Sequence, residues 1–225
     1  MRYLLKDDHQ APRTLPKAQG LTDTRFQNCL SPDDWAALPY AVKRRFACKV
    51  APGEARVYRG KIEATRMNFA GRVLAQILRM VGAPLPLDPG NDGAPAVVSI
   101  TDDAAGNGQF WVRQYGRPKG FPQILHSTKR FAGPTGIEEY IGAGIGMTLR
   151  LSVERGALWF SSDRYYIGGA RGRIYLPALL CPGRLRVGHE DLGAGRFRFT
   201  LSLKHRLMGQ MIKQTILFKD PEIDL

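Results

Sequence analysis

From about residue 95 onward the apolar residues of this chain return at every second position, and that period limits the fold more than any other feature of the sequence. Met147, Leu149, Leu151 and Val153 alternate with Thr148, Arg150, Ser152 and Glu154. Such alternation places one set of side chains on one face of an extended strand and the other set on the opposite face. Candidate strands run near 96–102, 108–116, 122–131, 137–142, 146–154, 157–167, 184–190, 196–205 and 210–219, with an earlier one at 55–65 that sets Tyr58, Ile62 and Ala64 on one face. Two hairpins test the pattern. The pair Arg155-Gly156 suits a two-residue turn and sets Val153 opposite Leu158 and Leu151 opposite Phe160. A turn through Asp191-Leu192-Gly193-Ala194-Gly195, centred on Gly193, sets Val187 opposite Phe199, Leu185 opposite Leu201 and Glu190 opposite Arg196. Apolar meets apolar and opposite charges meet, as cross-strand pairs require.

Strands joined mostly by short turns make an antiparallel meander. A sheet of that size curls, because strand twist accumulates and free edges are a liability. The expected fold is therefore mainly β (α+β): a curved antiparallel barrel or half-barrel of about 9–10 strands, with two or three short helices near the N-terminus. Residues 1–30 are polar, proline-bearing and aperiodic, and read as an extended or mobile arm before a single β-rich domain over 31–225. Ser31 can cap a helix with Pro32 in the first turn, and Trp35, Leu38, Val42 and Phe46 keep helical spacing. Pro39 breaks that pattern into two short helices. A third helix is expected near 68–81, with Val73, Leu74, Ile77, Leu78 and Val81 as one apolar stripe and Arg72, Gln76 and Arg79 facing away. It would cover a barrel opening or pack on the concave face.

The search for chemistry returns little. Gly142-Ala143-Gly144-Ile145-Gly146 and Gly168-Gly169-Ala170-Arg171-Gly172 are glycine-rich. Neither opens a helix after a strand, so they read as bulges or tight corners and not as dinucleotide loops. His9, His126, His189 and His205 have no metal-ligand spacing with a carboxylate. His189 shares the face of Leu185 and Val187 and reads as a core or cavity histidine. Asp102-Asp103 reads as a hairpin turn; for Glu138-Glu139 a solvated edge is expected ahead of the alternative, one of the two pointing inward beside Tyr140. Three widely spaced cysteines, Cys29, Cys48 and Cys181, give no disulfide framework and no zinc site. With no signal peptide and no apolar run of bilayer length, a cytoplasmic protein is expected. No catalytic, cofactor-binding or metal-binding residue is assigned.

The run Leu38-Pro39-Tyr40-Ala41-Val42-Lys43-Arg44-Arg45-Phe46 resembles the start of a bacterial family, the domain of unknown function 4166. Tyr58-Arg59-Gly60, the segment from Gly71 through Ile77-Leu78 into Gly82-Ala83-Pro84, Trp111-Val112-Arg113 and the strand Gly195-Arg196-Phe197-Arg198-Phe199 are similar too. The resemblance spans roughly 35–219. It implies no activity and no catalytic residues, and it brings in one candidate partner, because members are sometimes attached to or encoded beside nicotinamide-dependent, saccharopine-dehydrogenase-like proteins.

The function expected is a non-catalytic binding module for an apolar or amphipathic small ligand, an anionic one included, in the sheet interior. Trp111, Tyr140, Trp159, Tyr165 and His189 are the candidate lining. The alternative is an accessory domain that meets a partner enzyme or another polyanion through a basic face of Arg184, Arg186, Arg196, Arg198 and Lys204. A net charge of +13, from 33 Lys and Arg against 20 Asp and Glu, favours anionic partners, an anionic membrane surface among them. Nucleic acid is not expected, since Phe197 and Phe199 alternate opposite to Arg196 and Arg198 and give the charge no stacking platform.

Overall fold

The computed structural model describes residues 22–80, 82, 85–169 and 172–221. Strands β1 (Arg56–Met67), β2 (Pro95–Asp103), β3 (Gly108–Tyr115), β4 (Gln123–Arg130), β5 (Glu138–Gly142), β6 (Ile145–Glu154) and β7 (Ala157–Gly169) follow one another as antiparallel neighbours. After a short β8 (Gly172–Tyr175), strands β9 (Arg184–Gly193), β10 (Arg196–His205) and β11 (Gly209–Lys219) continue the meander. β11 returns to pair with β1, and β7 bridges β6 to β9. Ten strands thus close into an antiparallel barrel. β8 stands outside the ring: β7 gives Leu158–Ser161 to β9 and Tyr166–Gly169 to β8. The glycine-rich corner expected at 168–172 falls at this extra hairpin: Gly169 pairs with Gly172, a side chain at Gly168 would overlap the Gly172 carbonyl, and Ala170 and Arg171 lie outside the described residues.

The first hairpin has the register that the alternation predicts, with Val153 opposite Leu158 and Leu151 opposite Phe160. The second is displaced by two residues. Its turn is tight, over Ala194-Gly195, with a bulge between Arg196 and Phe197, so Val187 faces Leu201, His189 faces Phe199 and Glu190 faces Arg198. An even displacement leaves every side chain on its expected face.

The two barrel ends are closed differently. One end is plugged by residues 22–50. Phe26, within the stretch expected to be an arm, is 1% exposed and packs edge-on against Phe46 and Phe131. Thr22 bridges Cys48. The remainder of the expected arm, 1–21, lies outside the described residues. Helices α1 (Pro32–Ala37) and α2 (Tyr40–Phe46) form as Ser31 accepts from the Asp34 amide and Pro39 separates them. From α2, Arg45 reaches Asp220 through two 2.8 Å bonds and Asp191 through one of 2.9 Å, fastening the plug to the ends of β11 and β9.

The other end is spanned by α3 (Phe69–Arg79). The Asn68 side chain accepts from the Gly71 amide at 2.8 Å and donates to the Met208 carbonyl at 2.9 Å. The helix starts against β11 and runs toward β4 and β5, where Gly82 meets His126 and the Ile141 carbonyl. The expected apolar stripe is divided: Leu74 and Leu78 pack on the core, whereas Val73 and Ile77 are exposed, and Val81 lies outside the described residues. At Gly71 the helix lies directly on the β11 backbone, and a methyl group there would overlap the Met211 carbonyl. Gly71→Ala should therefore lower the thermal midpoint by an amount equivalent to about 1–3 kcal/mol of overpacking. A gain would be expected if helix propensity alone, worth about 1 kcal/mol, decided the outcome.

Candidate functional site

Inward positions on the barrel wall are mostly apolar, but a charged cluster runs across β3, β4 and β5. Arg113 shares the inward parity of Trp111 and Tyr115, Lys129 that of Leu125 and Ser127, and Glu139 that of Ile137. Glu139 accepts from the Ser127 hydroxyl at 2.6 Å, from Arg113 at 3.3 Å and from Lys129 at 3.1 Å. The Lys129 ammonium lies 5.2 Å from the Trp111 ring centre and 4.9 Å from that of Phe160. Burial pushes the Glu139 carboxyl up, but Lys129, Arg113 and the Ser127 hydroxyl outweigh it and hold the group at about 2. Burial also pulls the Lys129 ammonium down, opposed by Glu139. Two cations thus share one anion, 2 − 1 = +1, inside a wall of aromatic and aliphatic groups.

This cluster separates two chambers. The chamber on the plug side has a volume of about 30 Å³ and is lined by Trp111, Tyr58, Ile100, Phe197, His189 and Arg45, among others. The chamber on the lid side has about 60 Å³, lined mainly by Leu78, Leu85, Met147, Tyr165, Leu185 and Leu203. Arg113 and Phe199 line both. One water needs on the order of 10–15 Å³, so each chamber has room for only a few waters. Within the partition, Trp111 Nε1 and Arg113 Nε are buried N–H donors with no acceptor among the described residues. Buried donors in that state are uncommon, and each costs roughly 1–3 kcal/mol.

His189 stacks on Phe197 at 4.5 Å and meets Phe46 edge-on at 5.1 Å. Burial, reinforced by the Arg45 guanidinium and opposed only by Asp220, pushes its imidazole down to about 3. It is neutral at physiological pH.

Of the other expected lining residues, Trp111 and Tyr165 line the two chambers, and the Tyr165 hydroxyl donates to the Gly183 carbonyl at 2.9 Å. Tyr140 and Trp159 stand on the outer wall, because their neighbours Glu139, Leu158 and Phe160 take the inward positions. Arg130 covers the Tyr140 ring and Arg186 covers Trp159. Glu138 and Glu139 are both buried, 1% and 5% exposed, where a solvated edge was expected; outward-facing Glu138 is held by Arg173. The expected basic face on β9 and β10 is largely neutralised at its middle. Arg186 pairs with Glu154, and Arg198 with Glu63 and Glu190. Arg184 and Lys204, opposite each other at the lid end, and Arg196 at the plug end are exposed.

Two measurements test this electrostatic reading. Glu139→Gln leaves two buried cations without a carboxylate and should cost about 3–5 kcal/mol in urea unfolding; Lys129→Met leaves Glu139 paired with Arg113 and should cost clearly less. His189 takes up a proton on unfolding between its ordinary value of 6.5 and about 3. Stability should then fall as pH drops from 6.5 to 4.5, by up to about 1.4 kcal/mol per pH unit from this group. His189→Phe should flatten that part of the profile.

No helix among the described residues is long and apolar enough to cross a membrane. No curated protein and no solved structure matches this chain. The family described as Domain of unknown function (DUF4166) matches residues 38–216, from within the plug through α3 and nine whole barrel strands into β11, and the chain belongs to that family.

Proposed function

We propose that the barrel is a binding module for a small amphipathic carboxylate, held with its head at the partition and its chain in the lid-side chamber. The observation that carries this is the pair of unpartnered buried donors, Trp111 Nε1 and Arg113 Nε, beside an interior that holds one positive charge in excess. An anionic acceptor supplies what both donors lack and balances the charge, and charge-assisted bonds of this kind are about twice as strong as neutral ones. The aliphatic lining of the lid-side chamber suits the apolar part. With about 60 Å³ free there, a longer chain enters only as α3 shifts. That helix is lightly held, since Ala75 is its one fully buried side chain beyond Gly71.

The alternative, an accessory domain docked on a partner enzyme through the β9–β10 wall, has less support, because Glu63, Glu154 and Glu190 already occupy Arg198 and Arg186. Calorimetric titration with decanoate and with decanol separates the two readings. Decanoate should bind with one-to-one stoichiometry and decanol at least about tenfold more weakly. Trp111→Phe, which keeps the shape and removes one donor, should weaken decanoate several-fold, as expected for one hydrogen bond to a charged group. Equal binding of acid and alcohol, or of neither, overturns the proposal.

A further inference from the structure

We propose that the lid end of the barrel docks on an anionic lipid bilayer, with the outer face of α3 and the tips of three neighbouring segments entering the interface. The evidence begins with α3. A helix lying on a protein surface normally turns polar residues to solvent. Here Phe69, Val73, Ile77 and Met80, spaced four, four and three apart, all point outward, with Phe69 79% and Met80 88% exposed. The inner face is apolar as well, through Leu74, Ala75 and Leu78. The helix is therefore apolar on two sides, and only one of them has a partner among the described residues.

Topology brings further apolar tips to the same end. β1 ends there at Met67, as does β3 at Tyr115 and β10 at His205. The β3–β4 turn presents Phe121, 91% exposed. The β10–β11 turn presents Leu207 and Met208, and the segment entering β9 presents Leu179 and Leu180. Elsewhere among the described residues, the exposed large apolar side chains are Tyr40, Val57 and Phe110, with Ile124, Ile167 and Ile174 on the wall near the lid. A concentration of this kind marks an interaction site.

Charge decides which partner. All but the Leu179-Leu180 tip have a cation close by in sequence: Lys119 before Phe121, Arg206 before Leu207, and Arg72 and Arg79 along one flank of α3. All are exposed, as are Arg184 and Lys204 on the same rim, and none has a carboxylate partner among the described residues. The acids near this end are taken, Asp88 by Arg117 and Asp92 by Arg66. Separate apolar tips inside a ring of free cations match a bilayer interface with anionic headgroups, where apolar side chains enter and each nearby Lys or Arg adds attraction.

This inference rests on the outer surface and stands independently of the ligand reading. Vesicle co-sedimentation of the full chain tests it. The protein should pellet with vesicles containing phosphatidylglycerol and stay in solution with pure phosphatidylcholine. The double substitution Phe69→Ser, Met80→Ser and the double reversal Arg72→Glu, Arg79→Glu should each weaken binding by about tenfold or more. Arg196→Glu, the same kind of reversal at the plug end, should change it little. Every position altered is exposed, so thermal midpoints should stay near that of the parent chain, and decanoate binding by the variants reports the interior separately. The proposal is overturned if the anionic vesicles leave the protein in solution, as a protein-binding face would. It is also overturned if they bind it no better than neutral ones do, or if Arg196→Glu weakens binding as much as the lid reversal.

Discussion

A closed ring of strands has no edge, and the rest of this molecule follows from that closure. Every ring strand has a neighbour on both sides, completed where β11 returns to β1 and where β7 joins β6 to β9. Backbone donors and acceptors are thereby spent in the wall. What stays open is the two ends. Neither can be sealed by more sheet, so other parts of the chain seal them: the aromatic plug that precedes β1, and the single helix inserted between β1 and β2. The difference between the two seals is chemical. The plug is fixed by buried rings and by Arg45 held between two aspartates. The lid rests on a glycine contact and half-buried leucines. One end of the barrel is built to stay shut, and the other is held by little.

Closure also explains the polar interior. A ring of ten strands is wide, and Leu, Val and Phe side chains alone do not fill it uniformly. The centre holds instead a lysine, an arginine and a glutamate that satisfy one another incompletely. Such a group is expensive to bury and is weak evidence for stability. Its position between two apolar chambers is the feature on which the proposed binding function rests, and it is the reason that the interior reading and the surface reading concern different residues.

Most of the wall was legible in the sequence because a period of two survives every turn. The strands from β2 to β7 and β9 to β11 lie within a residue or two of the spans the alternation predicts, apart from the far end of β9. The displaced β9–β10 register kept its faces because the shift was even. The interior charges carried a readable signal that went unused: Arg113, Lys129 and Glu139 fall on the inward parity of Trp111, Leu125 and Ile137. Alternation read only for apolar residues passes over charged ones on the core face. The opposite error placed Tyr140 and Trp159 among candidate lining residues, since aromatic character was weighed ahead of parity. The plug was hidden for another reason. Phe26 is a lone large apolar residue in a polar segment, and nothing local shows that three other rings, those of Phe46, Phe131 and Phe160, converge on it. The helix stripe failed at angular resolution: Val73 and Leu74 are neighbours in sequence, yet a 100° turn sends one to the exposed side and the other to the core.

The closing ladder joins Met67 to Ile212 and Arg59 to Lys219, pairs separated by nearly the whole domain. Contacts so remote in sequence make for slow folding. On a ribosome adding about 5–20 residues per second, the first strand emerges and then waits on the order of ten seconds before its last partner exists. Through that interval its free side is an unpaired edge in a nascent chain. Arg59, Lys61, Glu63 and Arg66 point outward along that strand, and charge on a temporary edge discourages pairing with another chain. Residues that read as ordinary solvated surface in the finished barrel thus guard the chain while it is still incomplete.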